Sequence, residues 1–269
     1  LPTVWSNTLA GAVLAGAGGM DLPRLAVPML AFSLFYVGGM YLNDAFDQSI
    51  DARERPDRPI PAGLVSAGAV FATGFAMLGG GVALLASTGF RAGVAGMALA
   101  TVIVGYDWHH KGNPLSPVVM ALCRALVYAG AALAMSGNLT GPVLGGAAML
   151  LCYVIGLTYT AKRESVNDFG AMWPLAALAA PFLHAPLALE MTGVSAGAYA
   201  LLLGWVGYTL SFVLVPFRRN VKRAVGAFIA GISLLDALLI AGAGQAELAG
   251  LGVLSWGLTL WFQRHVPGT

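Results

Sequence analysis

Charge is what this sequence is short of. Only 10% of its 269 residues are Asp, Glu, Lys or Arg, where an ordinary soluble domain carries roughly a quarter. Too few charges are present to cover a water-facing surface, and the mean hydropathy of +0.78 agrees. Cysteine is scarce as well. Cys123 and Cys152 both lie in apolar runs, with neither the count of a disulfide framework nor a metal-ligand spacing, so they read as buried thiols. Strict apolar/polar alternation is missing, which argues against a β-barrel. No Pro/Ser-rich linker or shift in composition separates a soluble part, so residues 1–269 read as a single domain. No cleavable leader is legible either: Leu1 opens directly into an apolar run, as in a chain whose native start lies upstream.

What is present is a succession of apolar stretches, each about the 17–25 residues that cross a hydrocarbon core. Ten are read, near 3–20, 24–50, 65–87, 92–108, 114–136, 141–163, 171–189, 195–215, 221–243 and 246–263. The expected fold is an all-α, polytopic transmembrane bundle of nine or ten spans around a central cavity. Gly, at 36 residues, suits the close approach of helices in lipid. The connections after even-numbered stretches, with the end of the chain, hold eleven cationic residues: Arg53, Arg55, Arg58, Lys111, Lys162, Arg163, Arg218, Arg219, Lys222, Arg223 and Arg264. Those after odd-numbered stretches hold only Arg24 and Arg91. The positive-inside rule therefore places the first set in the cytoplasm.

Ionisable residues at membrane depth are costly and mark function by default. The richest cluster is Asn43-Asp44-Ala-Phe-Asp47-Gln-Ser-Ile-Asp51. On a continuous helix, Asp44, Asp47 and Asp51 stand at i, i+3 and i+7 along one face, with Asn43 beside them. Such a stripe repels itself unless a cation sits among the oxygens, and hard oxygen ligands without His or Cys favour Mg²⁺. A solvated acidic helix end is the plainer alternative. Arg55-Pro-Asp-Arg58-Pro-Ile-Pro follows at once; its prolines forbid a helix, and its arginines suit bidentate phosphate contact as well as ordinary positive-inside charge.

This combined stretch closely resembles the first aspartate-rich motif of the UbiA superfamily of intramembrane prenyltransferases. The opening Thr3-Val-Trp5-Ser-Asn7-Thr-Leu-Ala-Gly11 is similar to that family's first helix, whose asparagine faces the cavity. The resemblance runs over the first six stretches and fades afterwards. It implies Mg²⁺ bound by aspartates, a prenyl diphosphate donor whose allylic C–O bond ionises, and a small acceptor, most commonly aromatic, that attacks the carbocation. The isoprenoid tail would lie in an apolar tunnel open to membrane lipid, and no nucleic-acid partner is expected. On this resemblance Asp44, Asp47 and Asp51 bind the metal. Asn43, Arg55 and Arg58 position diphosphate, and Lys111, Lys162 and Arg163 stabilise its charge. Tyr106 followed by Lys111 is similar to the family's tyrosine-then-lysine motif and would help to bind the substrates, with Asn7, Arg124 and Tyr159.

The second aspartate motif of the family, Asp-x-x-x-Asp, has no counterpart here. Glu164 and Asp168 keep its spacing and would hold a second metal. Alignment on Tyr159 instead puts Arg163 and Asn167 at those positions, so that fixed positive charge would replace one metal. His109 or His110 could act as a base or be an interfacial polar residue. Asp236 and His184, at mid-span, could line the cavity or simply hydrogen-bond between helices. Two other chemistries stay open: cyclisation of the donor, or transfer to a non-aromatic acceptor such as a phosphosugar or glycerol phosphate. A lipid carrier that has lost catalysis stays open too.

Overall fold

The computed structural model describes residues 1–16, 22–162 and 172–265. Among these all regular structure is helical. The helices are α1 (Pro2–Leu14), α2 (Leu22–Phe46), α3 (Gln48–Glu54), α4 (Ala67–Thr88), α5 (Phe90–His109), α6 (Ser116–Ser136), α7 (Gly141–Ala161), α8 (Trp173–Ala188), α9 (Gly193–Leu214), α10 (Val221–Gly242) and α11 (Ala246–His265). Apart from the short α3, each corresponds to one apolar stretch of the sequence.

Seven of them (α2, α4, α5, α6, α7, α9 and α10) are long and apolar enough to cross a membrane. The other three fall short for different reasons. At 1.5 Å per residue the 13 residues of α1 and the 16 of α8 reach only about 20–24 Å, less than a hydrocarbon core of roughly 30 Å. α11 is long enough at 20 residues, but Glu247, Arg264 and His265 at its ends dilute its hydropathy.

Two apolar cores share α1 and α6. One gathers Phe32, Phe35, Leu42, Leu78, Leu85 and Leu99 from α2, α4 and α5. The other gathers Tyr128, Tyr153, Leu178, Leu202, Phe228 and Leu238 around α10. In α10, 89% of the apolar window is buried, against 22–44% for the other six candidate spans. It is wrapped by protein, while the others keep a face for lipid.

Glycine sets the spacing where α2 meets α4. A methyl group on Gly74 would stand 2.8 Å from the Leu42 side chain, and one on Gly38 would stand 3.0 Å from the Gly74 carbonyl. Small residues thus let two spans touch backbone to backbone, the packing that lipid, offering no hydrophobic drive between helices, rewards.

Candidate functional site

The polar site forms at the end of the bundle where α2 and α5 finish and α6 begins. α2 ends at Phe46, and α3 starts afresh at Gln48. The single helix expected through Asp51 is therefore interrupted at Asp47, which caps α3 with φ −80° and ψ −1°. The break is small, because the amides of Ile50 and Asp51 both donate to the Asp47 carbonyl at 2.9 Å. The stripe keeps its direction in part: Asp44 and Asp51 face the same partner, while Asp47 faces another.

That first partner is Arg58. Its Nη1 donates to Asp44 Oδ1 and to Asp51 Oδ2, both at 2.9 Å. The prolines of the 55–65 connection prevent a helix and leave it as tight turns. The Ala62 amide donates to the Arg58 carbonyl, and the Gly63 amide to the Ile60 carbonyl. Gly63 lies at φ +73°, a conformation that only glycine adopts freely. This fold-back returns Arg58 over the acids. Arg55 points outward, exposed, with no side-chain partner among the described residues.

Asp47 instead meets Lys111, whose Nζ lies 2.9 Å from Oδ2, and His110, whose Nε2 lies 3.8 Å from the same oxygen. Tyr106 stacks on His110, with centroids 5.0 Å apart. The tyrosine-then-lysine pair is thus assembled, with His110 between its members. His109 and Trp108 point outward and are exposed.

Lys162 and Tyr159, expected at the substrate, make backbone contacts with the α5–α6 connection. Lys162 Nζ donates to the Asn113 carbonyl at 2.5 Å, and Tyr159 Oη to the Pro114 carbonyl at 2.7 Å. Both brace the α5–α6 connection that presents Lys111. Arg163, Glu164, Asn167 and Asp168 lie outside the described residues.

Asn7 and Arg124 sit deeper. Asn7 is fully buried and donates through Nδ2 to both oxygens of Asp236 at 2.9 Å. Its Oδ1 accepts from Arg124 Nη1 at 3.1 Å. Ser6 and Tyr128 also donate to Asp236, each at 2.5 Å. The Arg124 guanidinium lies 6.0 Å from the Tyr36 ring. The asparagine expected to face the cavity therefore turns towards α10, and Arg124 stands between that network and α2. Asp236 is an interhelical anchor. His184 is part of the lining of a 320 Å³ apolar pocket that Leu14 and Gly141 also line, at the opposite end of the bundle. Cys123 and Cys152 are free and half-buried.

One residue was missed by the sequence reading. Asp107, buried near the end of α5, accepts from Asn43 Nδ2 at 3.3 Å. Its other oxygen is one of two buried side-chain polar atoms without a partner among the described residues, with Trp256 Nε1. The signal was present in the sequence: an acid one residue from Tyr106, within a helix that otherwise reads as apolar.

The donor set bears on Mg²⁺ directly. No three acidic, His or Cys side chains among the described residues converge tightly enough to enclose an ion. Mg²⁺ usually takes one or two carboxylates and fills its remaining positions with water and phosphate oxygens, so a dispersed set of carboxylates beside cationic side chains fits it.

Comparison with known proteins identifies the family. The model of the UbiA prenyltransferase family matches residues 4–231. Digeranylgeranylglyceryl phosphate synthase of Methanopyrus kandleri is 38% identical over 42% of this chain and 41% of its own length. The enzyme of that name from Sulfolobus acidocaldarius is 32% identical over 54% and 50%, and that from Methanoculleus marisnigri is 27% identical over 86% and 77%. The chain thus spans about half the length, or less, of the first two. Among solved structures, one reported for digeranylgeranylglyceryl phosphate synthase in membranes aligns with a TM-score of 0.65 at 14% identity, over 90% of this chain and 93% of the other. A UbiA homologue from Aeropyrum pernix aligns at 0.55 and 19% identity, over 97% and 98%. At these identities the structures speak for the fold.

Proposed function

Because this chain belongs to the UbiA prenyltransferase family, we propose that it transfers the prenyl group of an allylic prenyl diphosphate to the hydroxyl of a glycerol phosphate derivative. The observation that carries the reaction class is the pairing of the Asp44–Asp51 acids with Arg58 and Lys111. Acids and bases side by side at one end of an apolar bundle suit a metal-diphosphate headgroup. The names of the relatives carry the acceptor class. They favour a glycerol phosphate over the aromatic acceptor that the family resemblance alone suggested.

The site acts chiefly by placing charge against a leaving group. Asp44, Asp47 and Asp51 would hold Mg²⁺, which when bound would supply positive charge against the diphosphate leaving group. Arg58 and Lys111 receive the non-bridging oxygens, Arg55 adds positive charge at the rim, and Asn43 and Tyr106 set the approach. The C1–O bond breaks with its electron pair leaving on diphosphate, the acceptor oxygen bonds to C1, and the hydroxyl proton passes to a base. His110, beside Asp47, is suited to that transfer. Tyr159 and Lys162 fix Lys111, and Arg124, with one donor held by Asn7, offers the rest of its guanidinium to an anionic substrate group. Glu164 and Asp168 supply a second metal position, or Arg163 supplies fixed charge there. The chain works as one domain of nine or ten spans, with this end in the cytoplasm and the prenyl tail against lipid.

The test is an acceptor panel. Purified protein in nanodiscs receives labelled geranylgeranyl diphosphate and Mg²⁺, with a glycerol phosphate ether, a hydroxybenzoate, or no acceptor. Product with the glycerol phosphate alone is expected. Prenylated hydroxybenzoate, or a cyclised hydrocarbon from donor alone, would overturn the acceptor assignment.

A further inference from the structure

The carboxylates at this end are unequally satisfied. Arg58 spans Asp44 and Asp51, and Lys111 holds Asp47. Asp107 receives neither. It is 5% exposed, and among the described residues one amide hydrogen bond from Asn43, long at 3.3 Å, is all that meets its charge. Oδ2 has no partner. A buried carboxylate oxygen left bare costs more than an ordinary lost hydrogen bond, because its hydration has been removed and nothing replaces it. Proteins keep such groups where another binding partner repays the cost.

What that partner is follows from the surroundings. Asp47 and Asp44 both repel the Asp107 charge, Asp47 more strongly. Among the described residues, four carboxylates meet two permanent cations, Arg58 and Lys111. The excess is two negative charges, the charge of one divalent cation. Asp107 lies on α5, while Asp44 lies near the end of α2 and Asp47 at the α2–α3 junction, so a cation gripped from both sides would be held across the α2–α5 seam. Asn43, next to Asp44 in sequence, already reaches across that seam to orient the Asp107 carboxyl.

We infer that Asp107 is a direct ligand of the divalent cation, acting together with Asp47 from the facing α2–α3 junction. The inference rests on the metal reading of the α2 acids and adds a ligand from α5. It also gives the chain a carboxylate that compensates for the missing Asp-x-x-x-Asp motif after α7. Asn43 is then a positioning residue, since it acts through Asp107.

The experiment reads metal binding and not turnover. Mn²⁺ is titrated into the detergent-purified full chain with inorganic pyrophosphate, and free Mn²⁺ is followed by electron paramagnetic resonance. Asp107→Asn keeps the shape and the Asn43 contact while removing the charge. It is expected to weaken Mn²⁺ at least about tenfold, since even outer-shell partners of a metal are worth that much, with a melting temperature no lower than wild type. Asp107→Glu, which restores the charge, should recover part of the affinity. Unchanged Mn²⁺ affinity in Asp107→Asn overturns the inference if Asp47→Asn still loses it. If Asp47→Asn also binds as wild type does, the metal reading of the α2 acids falls with it. A lower melting temperature with unaltered affinity would assign Asp107 to packing and overturn the inference too.

Discussion

At the scale of single residues, Arg58 shows how one side chain can serve two purposes. Nη1 satisfies Asp44 and Asp51, which leaves the rest of the planar guanidinium for a phosphate. Lysine could keep the bridge to the acids but not the fork. Arg58→Lys is therefore expected to melt near wild type while raising the donor KM about tenfold, the worth of one charge-assisted contact. Arg58→Ala should lower both stability and donor affinity. Steady-state kinetics beside thermal melts separate the two, and an unchanged donor KM in the lysine variant would remove Arg58 from the diphosphate site. The acid stripe and the arginines after it were open to view in the sequence because they are local, lying within sixteen residues of one another. Which acid meets which base was not. Asp44 and Asp51 share Arg58 only because Gly63 and three prolines fold the connection back, and Asp47 meets Lys111 only because α5 ends beside it. Asp107 was passed over because a lone acid near a helix end resembles an interfacial residue until its partners are seen.

Elements act through spacing. The α2–α4 seam closes because Gly38 and Gly74 carry no side chain there. A branched residue at Gly74 must push Leu42 away, and Leu42 directly precedes Asn43. Gly74→Val should cost about 1–3 kcal/mol through overpacking, read as a lower melting temperature in nanodiscs. It should also reduce turnover beyond what lost folded protein explains, because α2 carries Asp44 and leads directly into Asp47 and Asp51; turnover that merely tracks folded protein would show that the seam does not set the site. The order of the helices was legible from hydropathy and loop charge. The break at Asp47 was not, since an i, i+3, i+7 pattern reads equally well across a small interruption. The bracing of Lys111 by Tyr159 and Lys162 was hidden as well, because it runs through backbone carbonyls that any sequence would supply.

On the scale of the whole molecule, Asp236 ties α1, α6 and α10 together, with Ser6, Asn7 and Tyr128 donating to it. All these groups lie in the apolar interior, where unpaired donors are expensive. Asp236→Ala should destabilise the bundle by at least about 2 kcal/mol and also raise the KM of the anionic substrates, as Asn7, which holds Arg124, loses its own anchor. A thermal melt together with donor and acceptor titrations checks both effects, and an unaltered melt would deny Asp236 its anchoring role. Sequence reading had no access to this pairing, because its partners stand 229 residues apart.

That distance also has a meaning in time. A membrane chain is made and inserted from its N-terminus, so α1 and α6 reach the bilayer with Ser6, Asn7, Arg124 and Tyr128 before α10 has been synthesised. Until then a guanidinium and several donors lie in lipid or at the insertion machinery without the carboxylate that completes them. The protein is thus a late closer during biogenesis: α1 and α6 wait, polar side unmet, for a helix whose carboxylate follows Tyr128 by 108 residues and plugs the centre.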